Sequence, residues 1–364
     1  MSHSSIPLFA FASLRTGLGA ALCALAAVLA PPAHAQLRGL GPFAQLRDTA
    51  AALPAGVQRL ADVPYGADPL QRMDVYLPAA GGAASSAAVA SGTRAPVIFM
   101  VHGGAWRTGD KAMSRVVQEK VARWVPKGFV FISVNYRLYP AVNVLQEAQD
   151  VAMALAAAQS RAASWGADAS RFILMGHSAG AHLVSLINAS PTLAQREGAW
   201  PWLGTVSLDS AALNVPVVMT APHYPFYDEV MGANPLFWAA VSPYHALSGP
   251  VPPFQFVCST ERPDHPCLQA QGMARRVRDL GGRAEVLPQE LTHGEINAQL
   301  GLESAYTRAV ENFMASLDTV VAQRLGHRLV RPCRLAGAGH GRFLVSPSPA
   351  YAHCLAAERT QART

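Results

Sequence analysis

Ser178 stands in the middle of Gly176-His177-Ser178-Ala179-Gly180, a G-x-S-x-G pentapeptide. A serine hydroxyl is a weak nucleophile at neutral pH. It needs a base to take its proton, an acid behind the base, and donors for the oxyanion it creates. Five letters arise by chance in Gly-rich turns, so the flanks decide the reading. Residues 172–175 (Phe, Ile, Leu, Met) form an apolar run of the kind a buried parallel strand shows, and Leu183, Val184 and Ile187 follow at helical spacing. A strand that becomes a helix across five residues must hold its middle residue in a strained conformation. Glycines two positions either side relieve the crowding, because a Cβ there would strike a neighbouring strand or helix. The spacing predicts a nucleophile elbow that lifts the Ser178 hydroxyl to the end of a sheet.

Position selects the partners. Of twelve histidines, His3 and His34 fall in a leader, His102 and His177 lie within tight backbone turns, and His182 is one helical turn beyond Ser178. His293 follows the last expected strand and opens the loop before the final helix, where its ring can swing over the sheet's end. The acid is expected between serine and histidine, after the penultimate strand, in Cys258-Ser259-Thr260-Glu261-Arg262-Pro263-Asp264-His265. Asp264 has the commoner side chain for the role and stands beyond a proline that fixes the turn. Glu261 is nearer the strand end, but Arg262 beside it could make it a plain surface ion pair. His102-Gly103-Gly104-Ala105-Trp106 follows a buried apolar run at 96–101. A glycine pair at a strand end can be only a turn; with the elbow downstream it reads as an oxyanion loop, where backbone N–H groups need unhindered approach to an oxygen.

The elements needed to hold these residues recur in order. Strands are expected at 59–64, 72–77, 96–101, 129–134, 172–175, 204–208, 253–257 and 284–287. Helices are expected at 114–124, 145–162, after Ser178, at 273–280 and at 304–325. Met73, Val75 and Leu77 alternate as in a half-exposed antiparallel edge. Strand and helix alternating in this way imply right-handed crossovers and a mostly parallel central sheet with helices on both faces. Residues 212–250 have little periodicity but carry Tyr224, Phe226, Tyr227, Phe237, Trp238 and Tyr244, and read as a small cap that walls a pocket.

Residues 1–35 read as an export leader: Arg15, an apolar run at 18–30, and Ala33-His34-Ala35 as a small-x-small cleavage site. The apolar core is too short to span a bilayer comfortably, so no stable membrane insertion is expected. The hydrolytic domain is expected over 36–326 and a basic, poorly ordered tail over 327–364. The formal net charge of +6 is concentrated at the ends: the tail carries six arginines against Glu358, and Arg15 lies in the leader. A near-neutral body gives no face for nucleic acid. Without Cys23 four cysteines remain, an even number suited to disulfides in an exported protein, and sequence proximity favours Cys258–Cys267 and Cys333–Cys354. No cysteine pair has zinc-ribbon spacing and no H-E-x-x-H occurs, so no metal or other cofactor is expected.

The segments HGGAW (102–106), NYRL (135–138) and GHSAG (176–180), in that order, resemble the α/β-hydrolase superfamily on its hormone-sensitive-lipase and arylformamidase side, which includes bacterial carboxylesterases. The resemblance covers residues 58–325. It implies an α/β-hydrolase fold and cleavage of carboxylic esters of small to medium size through Ser178, His293 and Asp264 or Glu261. Gly104, Ala105 and Ala179 would supply the oxyanion N–H groups. Ala105 stands where the usual pattern has a third glycine, and the acid loop lacks the familiar Gly-x-x-Asp. An arylformamidase-type amidase or a carbohydrate-acyl esterase uses the same chemistry, so the expected partner is a small-molecule ester or amide. A non-catalytic binding module on this fold usually lacks the serine or the histidine, and both stand here.

Overall fold

The computed structural model describes residues 53–79 and 92–327. The expected leader, the tail beyond His327 and the Cys333–Cys354 pair lie outside these described residues. Eight strands form one sheet: β1 (Val57–Pro64), β2 (Arg72–Pro78), β3 (Ala95–Val101), β4 (Val130–Val134), β5 (Ala167–His177), β6 (Gly204–Leu208), β7 (Phe254–Ser259) and β8 (Ala284–Gln289). Their order is β1-β2-β4-β3-β5-β6-β7-β8. β2 runs antiparallel to both neighbours, and all pairs from β4 to β8 are parallel.

β3 explains why the sheet needs helices on both faces. All seven of its residues are buried, and period-two alternation splits them between the faces. Val97, Phe99 and Val101 pack with the helix Val144–Arg161 and the elbow helix Ala179–Ala189. Ile98 and Met100 pack with the helices Ser114–Trp124 and Ala305–Ala315. The chain leaves β3 toward β4 on one side and returns to β5 on the other. That reversal opens a crevice at the carboxyl ends of β3 and β5, where open α/β sheets place their ligands.

Three elements differ from the sequence-based expectation. β2 is not a half-exposed edge, because β1 covers it. Its polar Asp74 is fully buried, with Arg59 at 3.1 Å, Lys111 at 3.2 Å and the Asp62 N–H at 2.9 Å. The helix expected from 304 to 325 is two, Ala305–Ala315 and Thr319–Arg324; the first closes at Ser316, and Asp318 caps the second by accepting the N–H of Val320 at 2.7 Å and of Val321 at 3.1 Å. The helix expected at 273 starts at Pro266, a residue suited to the first helical position. The cap consists of four short helices, Val215–Thr220, Phe226–Met231, Pro235–Ala240 and Pro243–Ala246, which explains its lack of periodicity.

Candidate active site

The elbow forms as its spacing demands. Ser178 has φ 57° and ψ −118°, a conformation rare for a residue with a side chain, and the elbow helix starts at Ala179. A Cβ at Gly176 would collide with the backbone of Gly180, and one at Gly180 with the carbonyl oxygen of Val101. The Ser178 N–H donates to Leu208 O at 2.9 Å, which fastens the elbow to the end of β6. Gly103 backs onto the same serine: a Cβ there would stand 2.7 Å from Ser178 Cβ.

The loop after β3 is held from two sides. From the sheet, Tyr136 donates its hydroxyl to His102 O at 2.9 Å and stacks on the His102 ring at 4.6 Å. Asn135 accepts the Lys111 N–H at 2.6 Å and donates to Asp110 at 2.7 Å. Arg137 grips the buried Asp150 at 2.7 and 2.8 Å. The NYRL segment is therefore a fastener for the loop. From the helix, buried His182 accepts the Trp106 indole N–H at 3.3 Å and donates to Val241 O at 2.7 Å. Burial pushes the His182 imidazole down to about 4, so the ring is neutral and can do both. Ala105 and Trp106 take φ 53° and 59°. The N–H groups of Gly104, Ala105 and Ala179 have no acceptor among the described residues. Ala179 begins a helix, where the first N–H groups lack partners within it.

His293 opens the short helix His293–Ala298, whose start is set by a capping box: Thr292 accepts the Glu295 N–H, and Glu295 accepts the Thr292 N–H at 2.9 Å. Behind the ring lies His177, centroid to centroid 4.4 Å, with its Nε2 donating to His293 O at 2.9 Å.

The carboxylate at His293 is Asp209. Its Oδ2 lies 2.6 Å from His293 Nδ1, and it stands one residue past β6 rather than after β7. Neither acid proposed from the sequence occupies that place. Asp264 pairs with Arg262, Nε to Oδ1 at 2.9 Å, and Glu261 is exposed. Arg262 is not the surface partner of Glu261 either; it turns inward and donates from Nη1 to Asp209 Oδ2 at 2.8 Å. The order serine, acid, histidine along the chain survives. Sequence reasoning missed Asp209 because it expected the acid after the penultimate strand. The available signal was an aspartate directly after the buried 204–208 run.

Burial alone would raise the Asp209 carboxyl. The hydrogen bond with His293, the Arg262 charge and the Ser259 N–H at 2.8 Å outweigh burial and hold it well below the usual carboxylate range. Burial lowers His293, Asp209 opposes that, and Arg262 adds to the lowering; the imidazole stays below its ordinary value and is uncharged at neutral pH.

Ala105, Trp106, Ser178, Ala179, Asp209, Phe226, Tyr227 and Arg262 line one recess of about 10 Å³. Four of the described non-glycine residues with positive φ (Ala105, Trp106, Ser178 and Asp209) stand on its wall. Strain of this kind persists where surrounding structure enforces it and gathers at reactive sites. Among the described residues no cluster of three metal-ligating side chains occurs, and no helix is long and apolar enough to cross a membrane.

Residues 73–212 match the BD-FAE family, a stretch that runs from β2 past the loop after β3, Ser178 and Asp209 and stops short of His293. The chain is 27% identical over 252 residues to Esterase LipQ of Mycobacterium tuberculosis, covering 66% of this chain and 59% of that protein. It is 30% identical over 123 residues to a probable isoprenylcysteine alpha-carbonyl methylesterase of Oryza sativa, covering 34% of this chain and 26% of that one. It thus spans less than two thirds of these curated relatives. Among solved structures, Esterase B from Lactobacillus Rhamnosis superposes with a TM-score of 0.58 at 20% identity, covering 76% of this chain and 91% of that one. A truncated carbohydrate esterase from gut microbiota superposes at 0.60 and 17%, covering 74% and 100%. At these identities the superpositions show a common α/β-hydrolase fold.

Proposed function

We propose that this chain, whose fold is that of the α/β-hydrolases, is a serine hydrolase of small carboxylic esters, with Ser178 as nucleophile, His293 as base and Asp209 as the acid. The observation that carries this is the 2.6 Å contact of Asp209 with His293, with Asp209 on the wall that also bears Ser178. In this reading His293 takes the Ser178 proton as Oγ attacks the carbonyl carbon. The charge formed on the carbonyl oxygen is held by the N–H groups of Gly104, Ala105 and Ala179, a contribution of about 10²–10³ in rate per donor. Asp209 keeps the proton of His293 on Nδ1, leaving Nε2 to act, and stabilises the cation that forms. The alcohol leaves with the proton from His293, and water then releases the acyl group by the same route.

Trp106, Phe226 and Tyr227 leave a recess with room for about one water molecule, which supports a short acyl group. The Cys258–Cys267 disulfide supports work in an oxidising compartment, in line with the leader expected at 1–35. A panel of p-nitrophenyl esters run beside N-formylkynurenine tests the reading. Turnover should be highest for acetate and fall with acyl length, and should vanish in Ser178→Ala. Ser178→Ala turning over p-nitrophenyl acetate like the wild type would refute it, and faster cleavage of N-formylkynurenine would move the activity to the amidase class.

A further inference from the structure

Arg262 makes contacts that the reaction above does not use. Its side chain is 7% exposed, unusual for a guanidinium. Nη1 donates to Asp209 Oδ2 at 2.8 Å and to Asp209 O at 3.0 Å, so it holds both the carboxylate and the backbone of a residue in a positive-φ conformation. Nε and Nη2 engage the two oxygens of Asp264 side by side. Nη1 also stands 2.9 Å from His293 Nδ1. An imidazole nitrogen has one in-plane bonding direction, and Asp209 is closer, at 2.6 Å. Nδ1–H therefore points to the carboxylate, and the guanidinium stands beside the ring as a cation.

We propose that Arg262 is a positioning residue of the reaction, fixing the Asp209 carboxylate at His293 and counterbalancing the two carboxylates it pairs with, Asp209 and Asp264. The inference rests on the assignment of Ser178, His293 and Asp209 made above. The charged and titratable groups around His293 come from every element packed on it: Asp209 from the end of β6, Arg262 and Asp264 from the loop after β7, and His177 from the elbow. Lys120 reaches the far end of the His293 helix at Asn297 O, 2.5 Å, and Tyr306 donates to Ile296 O at 2.9 Å. Glu295, on the helix itself, is engaged by Thr292. Two carboxylates with no cation would hold a proton on the imidazole, and a protonated His293 cannot take one from Ser178. With Arg262 between them the acids orient the ring without charging it. That division of labour gives the loop after β7 a role in which it supplies the cation and β6 supplies the acid.

The test is the pH dependence of kcat and kcat/KM on p-nitrophenyl acetate for the wild type, Arg262→Gln, Arg262→Lys and Asp264→Asn, with Ser178→Ala and Asp209→Asn alongside. In Arg262→Gln the acid limb should move to higher pH, so that the ratio of kcat/KM at about pH 5.5 to that at about pH 8 falls at least about threefold. Arg262→Lys keeps the charge and should restore the limb while recovering only part of kcat, because an ammonium cannot grip Asp264 with a planar fork. Asp264→Asn, on the rim, removes one carboxylate and should move the limb to lower pH; it decides the question if Arg262→Gln does not fold. A merely structural Arg262 would lower the amount of active enzyme without moving the limb. An unmoved limb in Arg262→Gln, or in Asp264→Asn if that is the variant that folds, overturns the inference. Full activity in Ser178→Ala and Asp209→Asn would instead overturn the assignment of the site beneath it.

Discussion

Asp209 keeps its charge in a place where burial alone would neutralise it, because the His293 ring, Nη1 of Arg262 and the Ser259 N–H all meet its oxygens. Asp209→Asn preserves the shape but presents an amide to Nδ1, which favours the wrong tautomer. We expect kcat on p-nitrophenyl acetate to fall by about 10³–10⁴ with the far-ultraviolet circular dichroism unchanged; a loss no greater than that of Glu261→Gln would remove Asp209 from the role. Glu147 shows the opposite balance. It is fully buried with one weak donor, the Tyr139 N–H at 3.2 Å on Oε1, and no partner on Oε2. Burial pushes it up to about 9. Its folded value lies above its unfolded one, so the folded state binds the extra proton: the stability it contributes is whole below about pH 4.5 and is lost as pH rises toward about 9. Glu147→Gln should therefore raise Tm at about pH 8 but hardly at about pH 5, by about 2–4 °C for each kcal/mol recovered. Equal shifts at both pH values would mean that the carboxyl is already ionised in the fold.

At the scale of elements, the loop after β3 has no regular structure of its own and takes its shape from its neighbours. Deleting one of those ties should therefore change chemistry more than stability. Tyr136→Phe removes the hydroxyl that reaches His102 O and keeps the ring that stacks on His102. kcat should fall about tenfold with KM little changed, since a displaced N–H weakens the transition state more than the bound ester; an unchanged kcat would show that the loop holds itself. The elbow was legible in the sequence because its cause is local: the glycines at 176 and 180 and the apolar run before them are all needed by one tight bend. The loop after β3 was half legible, as a glycine pair at a strand end. The role of residues 135–137 was not, because their partners are His102, Asp110 and Asp150, on three other segments. Asp209 was hidden for a related reason. β6 and β7 are neighbours in the sheet, so the residues after each converge on His293. The carboxylate that meets the ring follows β6, and the side chain that follows β7 is an arginine bound to it.

At the scale of the whole molecule, the sheet is the frame and the site gathers pieces of it far apart in sequence: the turn after β3, the elbow after β5, Asp209 after β6, Arg262 after β7 and His293 after β8. Each piece is held where strands anchored in the core end, so one weak joint should be felt in catalysis before it unfolds the molecule. The joint that β7 provides is closed covalently. Cys258, on β7, is bonded to Cys267, on the following helix, with 5.1 Å between their Cα atoms, and the loop between them bears Arg262 and Asp264. Sequence proximity pointed to this pair, and it closes a short loop, so its release should cost about 2–3 kcal/mol in the chain-entropy model. The double variant Cys258→Ser, Cys267→Ser should show that loss as a lower urea midpoint with little change in slope, because so short a loop hardly alters the surface of the unfolded chain. It should also lose kcat at temperatures where it is still fully folded, since the freed loop no longer holds Arg262 against Asp209. Treating the wild type with dithiothreitol should produce the same two changes. Lower stability with kcat intact would mean that the ion pairs of Arg262 hold the loop unaided, and that the disulfide secures the fold alone.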